Sequence, residues 1–207
     1  MLLLYYDYKV KTSDLKEVGD KKMSENKENS IKVKPSAFLL IKTKKNAKEV
    51  IKTIKTISKV IWAEVVFGPY QIVAYLKADN LEEITNIAEE VRTNPSVLDI
   101  DARVVKIIPG DENLQKFEIT KKENAVLLVN VNYKEEKERI VTYNLRKLDG
   151  VKVARAMWGP ADIIVIVEAD NHESMRNLIC DDIKTMKGVK TNTTLYCYPR
   201  GNQNGRR

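Results

Sequence analysis

Trp158-Gly159-Pro160-Ala161-Asp162-Ile163-Ile164-Val165-Ile166-Val167-Glu168-Ala169-Asp170-Asn171 reads as a Gly-Pro turn, then an apolar strand, then an Asp-Asn helix start. The same succession stands earlier in the chain, as Val66-Phe67-Gly68-Pro69-Tyr70-Gln71-Ile72-Val73-Ala74-Tyr75-Leu76-Lys77-Ala78-Asp79-Asn80. Two copies of one pattern point to a tandem duplication, and a repeat constrains the architecture more than any single window does.

Around the earlier copy, Ser36 to Thr43 reads as a strand, Asn46 to Ser58 as a helix with Val50, Ile51, Ile54 and Ile57 at helical spacing, and Val60 to Phe67 as a second strand. The Gly68-Pro69 turn makes a hairpin with Ile72 to Lys77. Asp79 is expected to cap a helix running to about Arg92, and Val97 to Ile108 forms the fourth strand. Around the later copy the order restarts: strand Ala125 to Val131, helix Glu135 to Leu148, strands Val151 to Met157 and Ile163 to Glu168, helix Asn171 to Met186, and strand Val189 to Tyr198. Each half is therefore β-α-β-β-α-β. The expected fold is α+β, with two ferredoxin-like repeats at 36–108 and 124–198. Leu39-Leu40-Ile41, Val126-Leu127-Leu128-Val129 and Ile163 to Val167 are continuously apolar, which marks strands buried on both faces. One repeat's helices cover only one face, so the two sheets are expected to pack face to face as a pseudo-dimer of the dimeric α/β-barrel type. Residues 1–35 are polar and read as a disordered extension, with Met23 a more typical start for translation than Met1. Residues 109–123 read as a linker with Leu114, Phe117 and Ile119 as anchors, and 199–207 as a disordered basic tail.

Composition excludes several classes of function. The net charge of +7 invites a nucleic-acid reading, yet the two repeats carry only +2 and +1 and no element concentrates the cations. Direct DNA binding is expected to be weak or absent. No apolar run is long enough to span a membrane. With Cys180, Cys197 and His172 as the only cysteines and histidine, a Cys/His zinc site is excluded. The cysteines fit small hydrophobes in a reducing cytoplasm. Asn192-Thr193-Thr194 matches a glycosylation acceptor, but no secretory signal accompanies it.

Leu148-Asp149-Gly150-Val151, Met157-Trp158-Gly159-Pro160-Ala161-Asp162-Ile163 and Met186-Lys187-Gly188-Val189-x-Thr191-x-Thr193-Thr194 together resemble the effector-binding domain of the leucine-responsive and asparagine-responsive (Lrp/AsnC) regulators. The first repeat keeps Gly68-Pro69-Tyr70 but has Gln71 where the family has Asp, and Asp99 and Asp101 where it has threonines. The family's helix-turn-helix has no counterpart in residues 1–35, which are too short and polar for three packed helices. The resemblance implies the fold, further assembly as a homo-oligomer or with related regulators, and binding of an amino acid or related small metabolite where pairs meet.

The resemblance places that ligand at Gly159, Pro160, Ala161 and Asp162, with Thr191 and Thr193 on the last strand. An amino acid needs a carboxylate for its ammonium and N–H or hydroxyl donors for its carboxylate; Asp162 would supply the first and the threonines the second. The competing reading is that Gly-Pro only makes a tight hairpin, which Asp162 orders. In the first repeat the same places hold Gly68, Pro69, Tyr70, Gln71, Asp99 and Asp101. Asp99 and Asp101 share a strand face and suit a cation or an amine, or form a solvated edge. Trp62 and Trp158 read as packing residues, Trp158 also as a pocket wall, and His172 as a surface residue. Barrels of this kind host catalysis, haem chemistry included, but the sequence has no nucleophile paired with a base. The expectation is a non-enzymatic cytoplasmic sensor of amino acids with no cofactor. A structural scaffold, or a DNA-associated regulator acting through its basic ends, stands as the alternative.

Overall fold

The computed structural model describes residues 34–108 and 117–198. The extension before residue 34, Leu114 in the linker and the tail from 199 lie outside the described residues. The elements run β1 (Ser36–Thr43), α1 (Ala47–Thr56), β2 (Val60–Phe67), β3 (Ile72–Lys77), α2 (Leu81–Arg92), β4 (Val97–Val104), β5 (Glu123–Val131), α3 (Glu138–Leu145), β6 (Val151–Ala156), β7 (Ile163–Ala169), α4 (His172–Asn177) and β8 (Val189–Cys197). The eight strands form one antiparallel sheet in the order β4-β1-β3-β2-β8-β5-β7-β6.

The two halves pack against each other through a shared core, as expected, but their sheets are not separate. The sheets' edges are hydrogen-bonded: Val66 pairs with Cys197 and Phe67 with Tyr196, joining β2 to β8. At the other edge Val105 bridges Met157, so the sheet closes into a barrel. The Lys106 N–H donates to the Ala156 carbonyl at 2.8 Å, and Trp158 N–H donates to Val104 at 2.9 Å. Closure satisfies edge groups that two open sheets would leave bare.

Alternation along the strands sorts the core into three layers. Leu39, Ile41, Ala74 and Leu76 face α1 and α2, where they meet Ile54, Ile84 and Val91. Leu127, Val129, Ile163 and Val165 face α3 and α4, where they meet Val141, Leu145 and Ile183. Phe38, Leu40, Val73, Val126, Ile164, Ile166 and Leu195 fill the barrel between the sheets. Truncating one of these, such as Ile164, to Ala is expected to cost about 2–5 kcal/mol.

Three local expectations change. Asn80, not Asp79, caps α2: its side chain accepts from Glu83 N–H at 2.8 Å, while Glu83 accepts from Asp79 N–H at 2.6 Å. Glu83 thus reaches one residue past the cap, a variant of the capping box, and the Asp79 carboxylate is left to Lys34 and Lys59, each at 2.5 Å. The helix expected over Asn171 to Met186 is α-helical only to Asn177. It continues as a π-helical turn over Leu178–Ile183, with Lys184 N–H donating to the Ile179 carbonyl. β4 ends at Val104, because Val105 and Lys106 turn to meet β6.

Candidate functional site

The turn between β6 and β7 is built from backbone bonds. Met157 N–H donates to the Asp162 carbonyl at 2.9 Å, and Asp162 N–H donates to Val129 at 3.0 Å. Gly159 has φ 145°, a conformation that side chains rarely adopt. Its space is taken as well: a Cβ there would overlap the Arg103 guanidinium, lying 2.6 Å from Cζ. The turn between β2 and β3 repeats the geometry. Val66 N–H donates to the Gln71 carbonyl, Gly68 has φ 143°, and a Cβ at Gly68 would meet Leu195 Cδ2 at 2.7 Å.

Asp162 and Gln71 do one job with different chemistry. Asp162 Oδ2 accepts from Val131 N–H at 2.8 Å, and Gln71 Oε1 accepts from Thr43 N–H at 3.0 Å. Each side chain caps the end of the neighbouring strand, β5 or β1. Gln71 also donates to the Gly68 carbonyl at 3.2 Å. The other oxygen of Asp162 differs: Oδ1 lies 2.8 Å from the Tyr133 hydroxyl. That hydroxyl is also 2.8 Å from Glu138 Oε2, at the start of α3. Lys106 Nζ donates to the same Glu138 oxygen at 2.6 Å and sits 4.5 Å over the ring of Trp158. Trp158 is 63% exposed.

A phenol carries one proton and so donates to one carboxylate at a time. Tyr133 therefore bridges Asp162 and Glu138, with its one proton shared between two acceptors. Tyr133 is 60% exposed as a residue, yet desolvation of its hydroxyl first, then the bonds to Glu138 and Asp162, raises its phenol above the ordinary tyrosine range. Lys106 offsets the charge of Glu138. A protonated phenol of this kind can supply a proton only to a strongly basic centre. Two cations stand near the Gly159 turn, Lys106 and Arg103.

Arg103 lies on the barrel-facing side of β4, 8% exposed, with Nη2 bonded to Asp101 Oδ2 and with no hydrogen bond at Nε among the described residues. Asp101 also accepts from the Tyr70 hydroxyl at 3.2 Å. Burial, then the Asp101 charge, raises the Tyr70 phenol above its usual range. Arg103 thereby links the two Gly-Pro turns, through Asp101 and Tyr70 on one side and against Gly159 on the other.

Of the residues singled out from sequence, Gly159, Asp162, Asp101 and Tyr70 lie around this network, with Ala161 and Tyr70 packed against the barrel core. Pro69 and Pro160 are exposed at the turn tips. Asp99 is apart, paired with Lys42 at 3.5 Å, so neither aspartate of β4 awaits a cation. Thr191 and Thr193 are exposed on β8, with β5 between them and β7. Thr191 Oγ1 accepts from Asn130 at 3.0 Å, and no hydrogen bond joins either threonine to Asp162 among the described residues. Lys106, Tyr133 and Glu138 escape a sequence reading, because they come from three segments outside the repeat motif. Arg103 carried a signal: charged residues at 99, 101 and 103 alternate onto one strand face. His172, the sole histidine, is exposed in the first turn of α4, so a histidine-ligated haem inside the barrel does not fit.

No protein-family model matches the chain, and no curated protein matches it. Solved structures do match. The siroheme decarboxylase NirDL superposes with a TM-score of 0.56 at 12% identity, over 78% of this chain and 70% of that chain. Its co-complex with an iron-uroporphyrin III analogue gives 0.57 at 13% identity over the same shares. A mutant chlorite dismutase from Candidatus Nitrospira defluvii gives 0.50 at 13% identity, over 80% and 91%. The transcriptional regulator NMB0573 from Neisseria meningitidis, solved with L-Met, matches at 14% identity over 57% of this chain and 70% of that chain, with a TM-score of 0.34. At these identities the likenesses establish the fold. The expectation of a non-enzymatic chain is overturned, because the neighbours that superpose over most of the chain include named enzymes. A search for a nucleophile beside a base could not have found the hydrogen-bonded group of Tyr133, Asp162 and Glu138.

Proposed function

We propose that the chain is an enzyme of the dimeric α/β-barrel kind that acts on a carboxylate-bearing small molecule, in the manner of a siroheme decarboxylase. The observation that carries this reading is the Tyr133 hydroxyl held 2.8 Å from both Asp162 and Glu138. Loss of CO2 from a carboxylate side chain leaves a carbanion that must be protonated; the neutral Tyr133 phenol, held in place by two carboxylates, can give that proton and take one back from solvent. Lys106 and Arg103 are suited to hold further carboxylates of the substrate by charge-assisted bonds. The exposed face of Trp158, already under a lysine, suits a flat ring system. The substrate sits at the turn and not within the barrel, whose interior is filled by Phe38, Leu40, Ile164 and their neighbours. Absorbance titration with iron-uroporphyrin III, followed by mass spectrometry of the pigment, tests this: binding with loss of carboxylate groups supports it, and an unaltered pigment counts against it.

The matching element order of the halves supports descent by duplication from an Lrp/AsnC-type effector-binding domain. A second reading follows from Asp101 and Arg103, which set opposite charges side by side beside both turns. An amino acid presents the complementary pair, and the chain would then serve as a regulator-like module in a homo-oligomer or with related regulators. Thermal shift against the twenty amino acids separates the readings. Stabilisation by one amino acid with no effect of the tetrapyrrole would favour the second.

A further inference from the structure

At the seam where β2 meets β8, three aromatic side chains lie in the open. Val66 and Cys197 pair across the seam and face the barrel, so Phe67 and Tyr196, paired next to them, point outward. Tyr198 follows, its N–H bonded to the Val65 carbonyl at 2.9 Å. Phe67, Tyr196 and Tyr198 are 55%, 42% and 45% exposed. The rings of Phe67 and Tyr198 stack, with centroids 5.7 Å apart and planes inclined by 28°. From the first turn of α1, Lys48 Nζ sits 4.7 Å over the Tyr198 ring. Single exposed apolar residues are ordinary on a surface, whereas adjacent exposed rings mark a place where something docks.

Cations gather beside the rings. Residues 44–59 hold six lysines (44, 45, 48, 52, 55 and 59) against one acid, Glu49, a net charge of +5. The first repeat sums to only +2 because most of its acids stand on α2 and β4, so the total conceals this segment. α1 lies over β2 and β3, next to the seam, and α2 lies over β4 and β1, away from it. Gln71 accepts from Thr43 N–H, so Lys44 and Lys45 start beside the turn that Phe67 leads into. Lys59 is engaged by Asp79 and Glu83. Glu49 is bonded to Lys52 at 3.0 Å, and among the described residues no ion pair engages Lys44, Lys45, Lys48 or Lys55. The acid that the register brings toward the rings is Glu123, two residues before the Ala125 paired with Tyr196. Those four lysines outnumber it.

We propose that this outer face of the β2–β8 seam binds single-stranded nucleic acid. Bases stack on Phe67, Tyr196 and Tyr198, and Lys44, Lys45 and Lys48 take the neighbouring phosphates. Rings and cations side by side match a chain that alternates flat bases with negative charges. An acidic peptide matches only the lysines, and a duplex keeps its base faces stacked on one another and out of reach. None of these residues belongs to the Tyr133 network, so the surface stands whether or not the decarboxylase reading does.

The test is fluorescence anisotropy of the full-length protein with a labelled oligothymidylate of about twelve nucleotides, within the span of one single-strand site. Binding is expected, and an abasic strand of the same length and charge should bind about tenfold more weakly or worse, for want of stacking. The duplex form should be weaker too. Tyr198→Ala and Phe67→Ala are each expected to weaken the oligothymidylate about tenfold, and Tyr198→Phe, which keeps the ring, to leave it within about twofold. Changing Lys44, Lys45 and Lys48 together to Ala should make the slope of log affinity on log salt shallower by about 2, three phosphate contacts' worth. Circular dichroism checks that each variant is folded. No binding at low salt overturns the proposal. So does an abasic strand or a duplex binding as tightly, or affinity indifferent to both Tyr198→Ala and Phe67→Ala. Light scattering that shows a dimer dissociated by Tyr198→Ala also overturns it, because the rings would then be covered by a second copy.

Discussion

Arg103 and Gly159 occupy one space: the guanidinium of the first, on β4, lies where a side chain of the second, in the β6–β7 turn, would begin. The glycine is required twice over, by its φ of 145° and by the arginine beneath it. Gly159→Ala is therefore expected to lower stability by about 1–3 kcal/mol, measured by urea unfolding. In the Arg103→Ala background the same change should cost at least about 0.5 kcal/mol less, a coupling of the size that touching residues show. Additive losses would mean that only the backbone demands glycine.

Tyr133→Phe removes the one proton shared by Asp162 and Glu138 and leaves the packing of the ring in place. Turnover is expected to fall about 10²–10⁴-fold, the worth of a positioned proton donor, while ligand binding changes little. Equal loss of binding and turnover would make Tyr133 a contact residue.

The Tyr133 phenol is raised by burial and then by its two carboxylate partners. A raised value in the fold means that the group contributes stability fully below its unfolded value, near 10, and loses it as pH rises through the folded value. Base titration should show one tyrosine ionising above the ordinary range, and its absence in Tyr133→Phe identifies it.

Asp79 shows the opposite sign. Hydrogen bonds from Lys34 and then Lys59 pull its carboxyl from 3.8 down to about 2. Its contribution is present above pH 4 and disappears as pH falls toward 2. Lys34 and Asp79 are exposed and Lys59 is half-buried, so the effect should shrink in high salt. Asp79→Asn is expected to flatten the stability curve between pH 4 and 2, and an unchanged slope there would remove these pairs from the account.

Glu168 is 3% exposed at the end of β7. Burial pushes its carboxyl up, but the Lys121 and Thr120 N–H groups and the Lys152 ammonium outweigh it, so it stays ionised. Glu168→Gln is expected to cost about 1–3 kcal/mol by weakening charged bonds in a dry site. The amides of Thr120 and Lys121 should then exchange with solvent faster; unchanged protection would show that the segment is held by Phe117 and Ile119 alone.

The strands of this fold were legible because Leu39 to Ile41, Val126 to Val129 and Ile163 to Val167 leave no polar face, and a strand of that kind has to be covered twice. What the apolar pattern does not encode is edge pairing. Val66 with Cys197 and Val105 with Met157 meet through backbone groups that every residue has, so face-to-face packing was foreseeable and closure was not. Around the site, Asp162 was visible as the turn's one acid. Its partner Tyr133 was not, because the β5–α3 connection lies outside the repeated motif, and no spacing rule brings Tyr133, Glu138 and Lys106 together. The threonines of β8 were drawn in by family likeness alone, and the fold sets β5 between them and the turn.

The measurement that bears most directly on the central claim is mass spectrometry of iron-uroporphyrin III after incubation with the wild-type chain and with Tyr133→Phe. The account predicts loss of CO2 from the pigment with the wild-type protein, and bound but intact pigment with Tyr133→Phe. Intact pigment with the wild-type protein, or equal decarboxylation by both, would contradict it.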